Sequence, residues 1–168
     1  MTEGLDFIIR AVLIGIGATL VMDGFVLLRK RLFGIPSLDY ALVGRWIGHL
    51  PEGRVVHDDI ARAAPIRGEA MLGWLVHYAI GVLFAAALLG SWGLGWAERP
   101  TLLPALIVGL ATVVAPFFIL QPALGAGILA SKTPKPNVAR LRSIVVHGSF
   151  GVGLYLSALF WASVLPQS

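Results

Sequence analysis

Four long stretches nearly free of charge constrain this chain more than any other feature. Residues 7–28 carry only Arg10 and Asp23, and residues 71–89 carry no charge before a Gly- and Trp-rich tail that runs to Trp96. Residues 101–131 and 143–165 are uncharged as well. A helix needs roughly 20 apolar residues to cross the hydrocarbon core of a bilayer. Backbone groups in lipid must be satisfied within the segment, which makes such spans helical. The pattern therefore predicts an all-α membrane protein, a bundle of four transmembrane helices at 7–28, 71–92, 102–130 and 143–165, within one domain over 1–168. Ten-residue alternating strands, the mark of an outer-membrane barrel, are absent. A soluble bundle would need polar stripes that these stretches lack. Only 13% of residues are charged, about half the share of a soluble domain. There is no Cys, which excludes disulfides, thiolate metal sites, iron–sulfur clusters and a Cys nucleophile.

The basic residues report the topology. Arg29, Lys30, Arg31, Arg45, Arg54, Arg62 and Arg67 fall in loop 29–70, and Lys132, Lys135, Arg140 and Arg142 fall in loop 131–142. Eleven of the 13 Lys and Arg residues thus lie in two alternate loops. Cytoplasmic loops carry such an excess, so both loops are expected in the cytoplasm and both termini outside, periplasmic in a bacterium. The net charge of +4 is then a record of topology and an attraction to anionic lipid, not a nucleic-acid surface. Arg45, Arg54 and Arg67 are the candidates for contact with a lipid phosphate or another anion.

Within the first loop, Ser37 to Leu50 is expected to form an amphipathic helix with Ser37 as N-cap. Leu38, Leu42, Trp46 and Leu50 would share its apolar face against the cytoplasmic leaflet. Pro51-Glu52-Gly53 reads as a turn, and Asp58 to Ala64 as a second short helix. His57-Asp58-Asp59 reads as a solvated loop tip. The third span is long: about 30 helical residues would run about 45 Å. Pro116 and Pro122 predict a kink between Pro116 and Gly127, with a broken segment at Gln121-Pro122 as the alternative.

Ionisable groups inside a span are costly, so each needs a reason. Asp23, His77 and His147 lie on three different spans. Helical rise puts them about 7–12 Å from the cytoplasmic ends of their helices. Gly15, Thr19 and Asp23 share a face, as do Gly73, His77 and Gly81, and His147 shares one with Gly151. Small residues mark helix–helix interfaces in membranes, so the three groups are expected to point into the bundle. Gln121 would join them if its helix bends at Pro122. Two imidazoles and a carboxylate form a first shell for Zn or Fe, and two His could ligate haem, but no local motif implies either cofactor.

Several segments resemble a known family. They are Phe33-Gly34-Ile35-Pro36-Ser37-Leu38-Asp39-Tyr40-Ala41-Leu42-Val43-Gly44-Arg45-Trp46, His77-Tyr78-Ala79-Ile80-Gly81, Pro116-Phe117-Phe118-Ile119-Leu120-Gln121-Pro122 and Ala130-Ser131-Lys132-Thr133-Pro134. Together they look like the small bacterial inner-membrane proteins grouped as domain of unknown function 2938. The resemblance implies a bacterial inner-membrane location and four helices. It supplies no activity and no catalytic residues.

Three readings of function stay open. Asp23, His77, His147 and Gln121 form a polar site toward the cytoplasm that binds an ion, a metal or a small ligand. Alternatively, the polar groups only fix helix packing in a structural or accessory subunit of a membrane complex. In the third reading, Asp23 and the His residues relay protons in a small transporter that works as an oligomer. The chain has no Walker loop, no Gly-x-Gly-x-x-Gly and no Gly-x-Ser-x-Gly elbow, which points away from an enzyme. The expected partners are the bilayer with its anionic lipids, a second copy of the chain, or a larger membrane complex.

Overall fold

The computed structural model describes residues 2–165. Among the described residues seven helices follow in order: α1 Glu3–Phe33, α2 Tyr40–His49, α3 Glu69–Trp92, α4 Leu94–Glu98, α5 Leu102–Ala111, α6 Gln121–Ala123 and α7 Pro136–Val164. Short 3-10 turns occupy Leu50–Glu52, Ile60–Arg62 and Ile128–Ala130, and a wide π turn occupies Pro116–Leu120. The described residues contain no strand. Four helical segments are long and apolar enough to cross a membrane: Glu3–Phe33, Glu69–Trp92, Leu102–Ala123 and Pro136–Val164. Each leaves large apolar side chains exposed, among them Leu20, Leu83, Leu103 and Phe160. Water would not tolerate so many on four helices; lipid would.

The chain falls into two compact units. The first comprises 1–36, 78–112 and 145–168, and the second 37–77 and 113–144. The first unit is a helical bundle built from α1, α5 and the greater parts of α3 and α7. Its core is aliphatic and small: Ala11, Ile14, Ala18, Ala85, Leu88, Leu89, Ala105, Leu154 and Ala158, closed by Trp96 and Phe150. Helices approach closely where side chains vanish. A Cβ on Gly109 would meet the backbone of Gly151, and one on Gly151 would meet the carbonyl of Ala105. Apolar lipid gives no hydrophobic drive to helix association, so this backbone proximity supplies the dispersion energy instead.

The second unit is loop-rich. Pro36 precedes it, and its first helix begins later than the Ser37 cap would set. Asp39 is the N-cap of α2, its carboxylate accepting from the Ala41 amide at 2.9 Å. Asp and Ser cap about equally well, and capping at Asp39 leaves Ser37 and Leu38 outside the helix. The expected helix over Asp58 to Ala64 is a single 3-10 turn at Ile60–Arg62, capped by the Asp59 carboxylate on the Ala61 amide. Pro51-Glu52-Gly53 does turn, with Gly53 at φ 76°.

The third span also differs from the long helix expected to 130. Pro116 has no N–H for the carbonyl four residues back, and regular helix stops at Ala111. Beyond Pro116 the chain widens by one residue per turn, the Gln121 amide bonding the Pro116 carbonyl five residues back. Helix ends at Ala123. Residues 124–130 form a tight reversal with Gly125 and Gly127 at positive φ, and Leu129 and Ala130 at φ 54° and 57°. Both non-glycine residues carry local strain there.

Candidate functional site

Asp23 and His147, with Tyr78 and Thr112 beside them, belong to the first unit. Asp23 lies on α1, and its Oδ2 accepts from the Tyr78 hydroxyl of α3 at 3.1 Å. His147 lies on α7, with Nδ1 2.7 Å from the Thr112 hydroxyl at the end of α5. That hydroxyl also donates to the Gly109 carbonyl at 2.6 Å. A hydroxyl has one proton to give. If it goes to Gly109, the Thr112 oxygen accepts from His147, whose proton then sits on Nδ1. Thr19, expected on the Asp23 face, bonds the Gly15 carbonyl of its own helix and stands where a Cβ on Gly81 would be.

His77 and Gln121 belong to the second unit. The His77 ring stacks on Tyr40 of α2, with centroids 4.1 Å apart, and meets the edge of Trp74 at 5.7 Å. The Gln121 amide donates to the Ser143 hydroxyl at 3.2 Å, while its Oε1 is buried without a hydrogen-bond donor. Among the described residues, no group of three or more His, Asp or Glu is arranged to hold a metal ion. What the polar residues share instead is a bond or stack to a side chain distant in sequence.

Arg45, expected at lipid or an anion, is turned into its own unit. Its Nε and Nη2 grip both oxygens of Glu69 at 2.9 and 2.8 Å. Its Nη1 donates to the carbonyls of Ile60, Ala61 and Ala63, each at 3.1 Å. The Glu69 carboxylate raises the Arg45 guanidinium above its ordinary value. A planar fork is what this double grip requires. Arg54 is exposed and 3.6 Å from Glu52, and Arg67 is exposed. α2 crosses the start of α3 at two glycines: a Cβ on Gly44 would strike the Glu69 carbonyl, and one on Gly73 the Tyr40 carbonyl.

Two further polar pairs escape the sequence reading. His49 is 2% exposed, and its Nδ1 lies 2.9 Å from Nε2 of His57. His57 is therefore no solvated loop tip. Its amide bonds the Ala123 carbonyl at 2.9 Å, and the Ile60 amide bonds that of Leu124 at 3.2 Å. The spacing of eight residues around Pro51-Glu52-Gly53 was the available signal. The other pair is in the first unit, where Arg10 Nε holds Asp6 Oδ2 at 2.8 Å with both side chains buried. Asp6 sits one helical turn before Arg10, which was visible in the sequence as an i,i+4 pair.

No curated protein matches this chain, and no solved structure does. A family model described as protein of unknown function (DUF2938) matches residues 12–161, which contain every candidate residue above except Asp6 and Arg10. On that match, and on the four spans that the family resemblance implied, the chain belongs to the DUF2938 family.

Proposed function

We propose that the protein is a small structural or accessory subunit of an inner-membrane complex. Its polar residues lock four helices and hold a folded loop region on the cytoplasmic side. The observation that carries this reading is pairwise contact: Asp23 with Tyr78, His147 with Thr112, His77 with Tyr40 and Gln121 with Ser143. A polar group in a span that already has a partner on another helix acts as glue between helices. The cytoplasmic placement of loops 29–70 and 131–142 is supported by their eleven basic residues. Side-specific labelling of introduced cysteines tests it.

The functional reading is tested on the full chain purified in detergent. Metal content and the visible absorption spectrum are recorded beside the thermal stability of His77→Ala and His147→Ala. The expected result is no stoichiometric metal, no Soret band, and a stability loss of about 0.5–2 kcal/mol in each variant. A stoichiometric metal or a Soret band that disappears in these variants would overturn the structural role in favour of a binding site.

A further inference from the structure

The His49–His57 pair goes beyond a packing role, because its one hydrogen bond depends on protonation. Segment 54–60 is held from two sides. On one side, the His57 and Ile60 amides bond the carbonyls of Ala123 and Leu124, and Gly125 lies where a Cβ would strike the Asp58 carbonyl. On the other, α2 holds it by Arg45 Nη1 on the Ile60 carbonyl at 3.1 Å, by Trp46 Nε1 on the Val55 carbonyl at 2.8 Å, by the His49 carbonyl on the Arg54 amide at 3.3 Å, and through His57 Nε2 at the buried His49 ring. His57 Nδ1 is itself buried without a hydrogen-bond partner. A buried N–H without an acceptor costs more than a bare lone pair. The proton of neutral His57 therefore belongs on Nε2, donated to the lone pair of His49 Nδ1.

We propose that the His49–His57 contact is a proton-operated latch, the one proton-sensitive bond among those that fasten segment 54–60 to α2. With both rings neutral, one N–H donates to one lone pair. A first proton keeps the bond, since an imidazolium N–H can still donate to a neutral ring. A second proton removes the last lone pair at the contact. Two N–H groups then face each other across 2.9 Å, and two positive rings repel in a largely buried place.

The surrounding charges leave this to the two rings. α2 brings Arg45 and the start of α3 brings Glu69, which lies close enough to His49 for their charges to interact. These two are already bound to each other. The segment itself carries Arg54, Asp58 and Asp59, with Arg54 near Glu52 and Asp59 holding Arg62 at 3.2 Å. Residues 121–127 bring no titratable side chain, and the stretch after them brings Lys132 and Lys135.

The test is amide hydrogen exchange of the full chain in detergent, at about pH 7.5 and about pH 5, corrected for intrinsic exchange. The lower value lies below the ordinary imidazole range and above the ordinary carboxylate range. Protection of peptides covering 54–62 is expected to fall about tenfold or more at the lower pH, while peptides from 11–19 of α1 keep theirs. In His57→Gln and His49→Gln, whose amides do not titrate, protection of 54–62 is expected to be the same at both pH values. Unchanged protection in the parent protein would overturn the latch. So would a fall that persists in either variant.

Discussion

Arg45 makes five hydrogen bonds to groups 15 to 24 residues away. One guanidinium thus closes most of the first loop into a folded piece, which a lysine with a single point charge could not do. Arg10 and Asp6 show the opposite economy, a charge pair withdrawn from solvent within a single helix. Taking two charges out of water costs several kcal/mol, which their mutual attraction only partly returns. Removing one partner strands the other. Arg10→Met is therefore expected to lower stability by about 3–5 kcal/mol, read by thermal or denaturant unfolding in detergent. The double variant Asp6→Leu with Arg10→Met should be more stable than Arg10→Met alone. If the single variant is neutral, the pair is not the buried clamp that its geometry describes.

At the scale of elements, α2 and α3 cross where Gly44 and Gly73 remove side chains from the contact. Gly73→Ala is expected to cost about 1–3 kcal/mol, because the backbone it meets cannot swing aside. Gly90 is on the same helix with open space around its Cβ position. Gly90→Ala should be neutral or stabilising by up to about 1 kcal/mol through helix propensity. Equal effects of the two changes on the unfolding midpoint would refute the crossing.

The four spans were legible in the sequence because length and lack of charge are local properties. The cap was less so: Ser37 and Asp39 are both good caps, and only tertiary context chooses Asp39. The end of the third span at Ala123 followed from Pro116, Pro122 and two glycines acting together over the twelve residues 116–127. Among the candidate residues, the type of group was readable and the partner was not. Tyr78, Thr112, Tyr40 and Ser143 meet Asp23, His147, His77 and Gln121 through interhelical register. A depth estimate along one helix carries no information on rotation about a neighbour. The partners of Arg45 were hidden for a related reason: its charge was visible, but the carboxylate and carbonyls that draw it inward lie up to 24 residues away.

At the scale of the whole molecule, four helices are long and apolar enough to cross a membrane, and the proposed topology puts the two basic loops on one side. The loop-rich residues Arg45, His49 and His57 all belong to the first of those loops, so the latch and the Arg45 clasp face whichever compartment that loop faces. The Cys-free chain permits a clean test. Val56 is 69% exposed in the first loop, and Gly95 is exposed in the connection after α3. Single cysteines at these two positions are treated in intact cells or sealed vesicles with a membrane-impermeant maleimide. The account predicts that position 95 reacts from outside and position 56 only after the cytoplasmic face is opened. Labelling of both positions from the same side would contradict the four-crossing arrangement, and labelling of position 56 from outside would reverse its orientation.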